Sequence, residues 1–224
     1  MGIGNTLKRA ISRFAPSVFV ISGPTVSPWA VAITFDDGPH PVNTPRILDT
    51  LAAHDAKATF FLQGNMAEQN PELVREIVSR GHQIGNHGYA HRDAKVVSTD
   101  EYVADVLRAQ KALENIVGSE LPRIFRPPFG NIAAGSLIAL LRRGFCFIFW
   151  SHDSRDSYLP DARTLFDYIS VQSISAGSIL LFHDDYAHTT EILPKILAHL
   201  QKCGLQVTSV AELLSKLPSK PNFA

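Results

Sequence analysis

Several residue patterns that mark particular protein classes are missing from this sequence. It has two cysteines among 224 residues, too few for a disulfide framework. Its 21 basic and 21 acidic residues cancel, so no bulk positive charge favours binding to nucleic acid. No apolar run is long enough to span a bilayer. The lack of a glycine-rich dinucleotide motif and of a P-loop counts against an oxidoreductase and a nucleotide-binding protein.

The composition is that of a globular protein with a full-sized core. Hydrophobic residues make up 45% of the chain and charged residues 19%, values typical of a soluble folded domain rather than a disordered chain. We expect an extension over 1–29 with a helix and a short strand, one domain over 30–217, and a tail over 218–224. Basic residues near the N terminus precede a short apolar stretch that resembles a signal peptide but has no clear cleavage site. The sequence therefore predicts a cytoplasmic protein, with secretion or membrane association as the alternatives.

Strand-like and helix-like periodicities alternate along the chain. The strand-like segments are 31–35, 58–62, 83–86, 123–126, 145–150, 178–182 and 205–208. The helical segments are 44–54, 71–80, 98–117, 134–143, 161–173, 190–202 and 210–217. This alternation predicts an α/β fold in which helices cover a parallel sheet. Periodicity alone does not separate an open sheet from a closed barrel.

Polar side chains that carry chemistry follow the predicted strands. They are Asp36, Asp37, His87, His91, Arg126, Asp153, Asp156, His183 and Asp184. In a β/α barrel the carboxyl ends of all the strands open on one face, and active sites are built there. We therefore expect titratable groups from five parts of the chain to meet in one cleft.

His87 and His91 are separated by three residues, a spacing that puts both imidazoles on one side of a helical turn. By itself this spacing is more typical of surface or capping histidines. Asp37, at another strand end, adds a carboxylate. Two imidazoles and one carboxylate form the ligand set of an open catalytic metal site. The three residues predict one divalent ion, zinc first, with cobalt, nickel or manganese as alternatives.

Asp36 and Asp37 are adjacent, and a regular strand would point them to opposite faces. Gly38 and Pro39 end the strand, which permits both carboxylates to turn toward the cleft. One could then bind the metal while the other acts as a general base. The alternative is a simple turn, for which these residue types are also typical.

Further residues are candidates for a general acid, for a cation that orients the base and for a hydrogen-bond donor to the oxyanion. His183 is a candidate general acid, with Asp156 or Asp153 holding its imidazole. Arg126 is placed to pair with the general base and orient it. The backbone at Phe129 offers an N–H group to a developing oxyanion. The alternatives are a structural histidine and an ordinary salt bridge.

Five segments resemble, in order, the motifs of the polysaccharide deacetylases, that is, the NodB homology domain of carbohydrate esterase family four. They are 34–39 (TFDDGP), 87–91 (HGYAH), 126–130 (RPPFG), 150–156 (WSHDSRD) and 180–184 (LLFHD). The resemblance extends over about residues 30 to 217. It implies a distorted (β/α)7 barrel of parallel strands with outer helices, and metal-dependent hydrolysis of acetyl groups.

The resemblance also implies a role for each residue of the site. The catalytic residues would be Asp36 as general base, His183 as general acid, Arg126 orienting the base and Asp156 tuning the acid. The metal ligands would be Asp37, His87 and His91. The substrate and oxyanion residues would be Phe129, Leu181, Pro128 and Trp150.

The implied reaction removes N-acetyl groups from an amino-sugar oligomer or polymer, such as a chitooligosaccharide, and releases acetate. The alternatives are an O-acetyl esterase acting on a xylan-type glycan and a barrel that binds glycan without turnover. The sequence departs from the family pattern at Phe129, where tyrosine is usual, at Ser157, where tryptophan is frequent, and at His152. These departures bear on the choice of substrate more than on the chemistry. The oligomeric state stays open.

Overall fold

The structure, a computed structural model, describes residues 19–20 and 29–215. The strands are β1 (Phe19–Val20), β2 (Ala30–Asp36), β3 (Thr59–Leu62), β4 (Gln83–Asn86), β5 (Ile124–Phe125), β6 (Cys146–Ile148), β7 (His152–Asp153), β8 (Ile179–His183) and β9 (Gln206–Thr208). The helices are α1 (Asn43–Ala53), α2 (Gly64–Gln69), α3 (Pro71–Ser79), α4 (Thr99–Val117), α5 (Ala134–Leu141), α6 (Ala162–Ser170), α7 (Ala187–Lys202) and α8 (Val210–Ser215). The predicted N-terminal helix and the tail over 218–224 lie outside the described residues.

The strands form one parallel sheet in the order β1-β6-β5-β4-β3-β2-β8-β7. The strand β2 lies at its centre and pairs with β8 over Ala32–Asp36, with β3 at its end and with β9 at its start. Parallel neighbours need a crossover between them, and helices supply most of these crossovers. The predicted parallel α/β barrel with outer helices is confirmed, and the short strand predicted in the N-terminal extension is present as β1, paired with β6.

Burial explains why the strands are nearly continuous apolar runs. Every residue of β2 and β3 is buried, as expected where helices cover a sheet. The face of α1 that the periodicity predicted, Ile47, Leu48 and Leu51, is fully buried in the largest cluster of the core. The helices therefore pack their apolar stripes on the sheet and leave the carboxyl ends of the strands free to form a site.

Local signals set the helix ends. Pro71 occupies the first turn of α3, where its missing N–H costs nothing. The capping box at the start of α4 is confirmed, because Glu101 N–H donates to Ser98 Oγ and Ser98 N–H donates to Glu101 Oε2. Gly118 ends α4 in the left-handed conformation, at φ 80°.

The structure differs from the prediction at two short elements and at the start of one long helix. The six-residue helix α2 was not predicted, because it is too short to show an apolar period. The two-residue strand β7 was missed for the same reason. The helix α7 begins three residues earlier than expected and contains Pro194. Within residues 19–20 and 29–215, no helix has both the length and the apolar character needed to cross a membrane.

Candidate active site

The side chains expected at strand ends do meet in one cleft of about 450 Å³, a size typical of small-molecule sites. Its lining is Asp36, Asp37, His87, His91, Pro127, Phe129, Gly130, Trp150, Asp153, Ser157, Tyr158, Leu181, His183 and Tyr186. These residues lie in the carboxyl-terminal halves of strands β2, β7 and β8 or in the loops that follow strands β2, β4, β5, β6, β7 and β8. The predicted convergence on one face is therefore observed.

The chain turns sharply after β2, and this turn brings both aspartates into the cleft. Asp37 has φ 76°, in the left-handed region, so its side chain does not continue the strand's alternation. Gly38 lies so close to Asp184 that a Cβ at position 38 would overlap the carboxylate. Asp184 N–H donates to the carbonyl of Asp36, and Thr44 Oγ donates to the Asp184 carboxylate. The buried Asp184 thus fixes the backbone of the turn.

The two histidines lie in an irregular loop, so the expected helical turn over 87–91 is wrong. The left-handed backbone of Gly88, at φ 79°, and of His91, at φ 50°, is incompatible with a helix. The loop still places the imidazoles side by side, with ring centroids 5.1 Å apart.

The donor atoms of Asp37, His87 and His91 lie within 4.8 Å of one another. Asp37 Oδ1 is 3.1 Å from His91 Nε2 and 3.6 Å from His87 Nε2. Ligand bonds of about 2.0–2.2 Å in a tetrahedron separate ligand atoms by about 3.3–3.6 Å. His87 Nδ1 lies 2.7 Å from the carbonyl oxygen of Arg126 and must donate to it, which leaves Nε2 with a free lone pair. The arrangement fits a single divalent ion.

Charge in the site also favours a cation. Burial opposes ionisation of Asp37, but His87, His91 and a hydrogen bond from Gln63 outweigh it, so the pKa of Asp37 is lowered. Burial and the neighbouring His87 lower the pKa of His91. An ionised carboxylate beside a neutral imidazole is the protonation state that metal binding requires.

Asp36 is buried beside this cluster and is held by Arg126. Arg126 Nη1 donates to Asp36 Oδ1 at 2.7 Å and to Thr34 Oγ at 2.6 Å. The remaining oxygen, Asp36 Oδ2, lies 3.7 Å from His87 Nε2. The pairing predicted for Arg126 is observed, and it leaves one carboxylate oxygen facing the metal ligands.

Across the cleft, His183 is bound to Asp156, and not to Asp153. Its Nδ1 lies 2.7 Å from Asp156 Oδ1, while its backbone N–H donates to Asp156 Oδ2 at 2.7 Å. Thr189 Oγ also donates to Asp156 Oδ2. Burial alone would lower the pKa of His183, but the hydrogen bond and charge of Asp156 raise it to about 9. The imidazole is therefore a cation at neutral pH, with Nε2 left for the cleft.

Of the four residues predicted to contact substrate, three line the cleft and one does not. Leu181 and Trp150 line the cleft. Phe129, 62% exposed, stands edge-on to the His91 ring with centroids 4.5 Å apart. Its N–H donates to no acceptor among the described residues. Both prolines are buried, and Pro127 rather than Pro128 lines the cleft, so the contact of Pro128 with substrate stays a prediction.

Sequence reasoning missed several residues of the site. Gln63 Nε2 donates to Asp37 Oδ1 at 2.8 Å. It directly follows β3, so the rule that polar residues at strand ends mark the site would have found it. Tyr186 packs edge-on against His183. Tyr158, 82% exposed, lines the cleft beside Ser157 and provides an aromatic ring next to the position where the family often has tryptophan.

Comparison with known proteins identifies the family of the chain. A family model described as polysaccharide deacetylase matches residues 24–145. A peptidoglycan-N-acetylglucosamine deacetylase of Bacillus cereus is 38% identical over 189 residues, which cover 82% of this chain and 87% of the relative. A chitooligosaccharide deacetylase of Bradyrhizobium is 31% identical over 198 residues, covering 82% and 90%.

A crystal structure gives the same result for the fold. That of a peptidoglycan N-acetylglucosamine deacetylase superposes with a TM-score of 0.81 at 34% identity, over 87% of this chain and 92% of the other. The matched segment contains both aspartates of the turn, both histidines of the loop and Arg126. The chain belongs to the polysaccharide deacetylase family.

Proposed function

We propose that this protein is a metal-dependent deacetylase that hydrolyses the N-acetyl amide of glucosamine units in a glycan and releases acetate. The observation that carries the proposal is the joint placement of three ligand atoms within 4.8 Å and of two acid–base groups, Asp36 and His183, in one cleft. Zinc is the proposed ion, because a site of two imidazoles and one carboxylate with vacant positions is typical of catalytic zinc.

Asp37, His87 and His91 would hold the ion. When bound, a divalent ion supplies Lewis-acid chemistry: it lowers the pKa of water and polarises a carbonyl. Asp36 Oδ2 takes a proton from the water that attacks the acetyl carbon, and the Arg126 cation keeps this carboxylate in place. The Phe129 N–H donates to the oxygen that becomes negative.

His183 completes the reaction by giving its Nε2 proton to the leaving nitrogen as the C–N bond breaks. Asp156 keeps the imidazole charged and oriented for this step. The products are acetate and a free amine on the sugar. Leu181, which is nearly fully buried yet lines the cleft, offers an apolar contact for the acetyl methyl group.

The protonated His183 favours an amide substrate over an ester. An amine is a poor leaving group and must be protonated, whereas a sugar alcohol leaves more readily. An O-acetyl esterase is therefore the second candidate. A barrel that binds glycan without turnover does not account for the complete set of acid, base and metal-ligating groups.

Acetate release before and after metal removal tests the proposal. Chitooligosaccharides, peptidoglycan fragments and acetylated xylan are incubated with the purified chain, and acetate loss is followed by mass spectrometry. We expect N-acetyl substrates to be deacetylated, activity to vanish after a chelator strips the ion, and zinc to restore it. Full activity in verifiably metal-free protein would contradict the scheme, and release from xylan alone would establish the esterase.

The raised pKa of His183 sets an expected pH dependence. The acid works only when protonated, so kcat should fall as pH rises through about 9. Replacing Asp156 with asparagine removes the charge that raises the pKa, and this alkaline limb should move to lower pH by about 1–3 units. The control Asp153→Asn, whose carboxylate accepts from the Arg155 N–H, should leave the limb in place. A pH–rate profile that does not change in Asp156→Asn would remove His183 from the acid role.

The cytoplasmic location that the sequence predicts stays a prediction, as does the division of the chain into 1–29, 30–217 and 218–224. Cell fractionation with an antibody against the chain tests the first of these. Sedimentation of the purified protein gives the oligomeric state.

A further inference from the structure

The loop from His87 to His91 is held by contacts outside the proposed ligand set. The N–H groups of Gly88, Tyr89 and Ala90 follow one another and all donate to side-chain oxygens. Gly88 donates to Asn86 Oδ1 at 2.8 Å, and the other two donate to a carboxylate on α4. Successive N–H groups of this kind form a concavity that binds anions.

That carboxylate belongs to Asp105. Its Oδ2 accepts from Tyr89 N–H at 2.6 Å, and its Oδ1 accepts from Ala90 N–H at 3.2 Å. Arg92 Nε lies 3.4 Å from Oδ1, and the Asp105 side chain is 8% exposed. A shielded carboxylate that accepts several N–H groups makes charge-assisted hydrogen bonds, which are about twice as strong as neutral ones.

Gly88 leaves room for the Asp105 carboxylate beside the loop backbone. Its φ is 79°, and a Cβ at this position would lie 2.9 Å from Asp105 Oδ2. The carboxylate therefore occupies the space that a side chain at position 88 would need.

On its other side the loop is bound to α2 through backbone groups, and the Tyr89 hydroxyl also donates to Glu68 Oε2 of that helix. Gly64 N–H donates to the carbonyl of Gly88 at 2.9 Å, and Asn65 N–H donates to the carbonyl of Tyr89 at 3.1 Å. Both of these bonds are accepted by carbonyl groups of the loop. The Asp105 carboxylate anchors the opposite, N–H side.

We propose that Asp105 is a positioning residue that holds the His87–His91 loop in its metal-binding conformation and so sets the affinity of the site for its ion. The inference rests on the proposed function, since it presumes that the two imidazoles are ligands. Without the carboxylate, the N–H groups of Tyr89 and Ala90 lose their acceptor and the imidazoles are no longer held in place beside Asp37. Binding the ion then has to reorder the loop, and affinity falls.

The variant Asp105→Asn tests this, because it keeps the side-chain shape but removes the charge and one acceptor oxygen. We expect the Kd for Zn²⁺, measured on the full chain by competition with a chromogenic chelator, to rise by about 10–100-fold. Asp100→Asn, in the first turn of the same helix, makes the same charge change away from the loop and should leave the Kd unchanged. Asp105→Glu restores the charge in a displaced position and should give an intermediate Kd.

The melting temperature of each metal-free variant separates this role from general stabilisation, which would lower it without changing the Kd. If the wild type releases acetate but Asp105→Asn and Asp100→Asn have equal Kd values, the positioning role alone is overturned. A wild-type chain that binds no ion would overturn the proposed function. If Asp105→Asn does not fold, Asp105→Glu decides, and a Kd equal to that of Asp100→Asn overturns the inference.

Discussion

Replacing Asp36 with asparagine is expected to lower kcat by about 10²–10⁴-fold, the contribution typical of a general base. The change removes the carboxylate oxygen that lies 3.7 Å from His87 Nε2 and faces the metal ligands. It leaves the donor atoms of Asp37, His87 and His91 in place. The variant should therefore bind one zinc ion per chain and still lose turnover.

Steady-state deacetylation of a chitooligosaccharide, with zinc content measured on the same sample, checks this result. The control Asp49→Asn makes the same charge change at an exposed residue paired with Arg80 and should keep wild-type kcat. Near-wild-type turnover in Asp36→Asn would remove Asp36 from the role of base. Loss of zinc would instead make it part of the metal site.

Replacing Arg126 with glutamine is expected to destabilise the fold by about 3–5 kcal/mol, the cost of leaving one partner of a buried ion pair alone. The Arg126 side chain is fully buried and donates to Asp36 Oδ1 at 2.7 Å. It also donates to the carbonyls of Ile148 and Phe149, so one cation ties β2 to β6 and the chain that follows it. Glutamine leaves the Asp36 carboxylate buried without its cation.

Denaturant unfolding of the metal-free chain measures this effect. Arg123→Gln, close to β5 but exposed, is the matched control and should cost at most about 0.5 kcal/mol. The double variant Asp36→Asn/Arg126→Gln should be less destabilised than the sum of the single changes, because it removes both charges. A free energy of unfolding for Arg126→Gln equal to that of Arg123→Gln would show that the pair does not support the fold.

The sequence was sufficient to predict where the site lies. Parallel strands that alternate with helices have their carboxyl ends at one edge, so polar residues after separate strands had to meet. Asp36, Asp37, His87 and His183 do so in the structure. The prediction needed the order of elements and the polarity of strand ends, and both are local properties of the chain.

The conformations between strands were not predictable in the same way. The spacing of His87 and His91 suggested a helical turn, but the backbone there is set by acceptors on Asn86 and Asp105. Asp105 lies on α4, and the sequence alone does not distinguish it from an acidic residue that faces solvent on a helix. Which polar side chain of a helix faces a loop depends on packing between distant segments. The periodicity of a single segment does not show this packing.

At Pro127 and Pro128, the sequence motif does not show which of the two residues lines the cleft. The motif identifies the pair, but which of the two rings faces the cleft depends on the short helical turn at Pro128–Gly130 and on the left-handed backbone of Phe129, at φ 56°. A shift of one residue in such a turn changes which of the two buried rings lines the cleft.

Anomalous diffraction from crystals of the zinc-loaded protein tests the central claim most directly. One strong peak is expected per chain, about 2.0–2.2 Å from Asp37 Oδ1, His87 Nε2 and His91 Nε2, with Asp36 outside bonding distance. A zinc-loaded chain whose peak lies elsewhere, or touches fewer than two of these residues, would contradict the account.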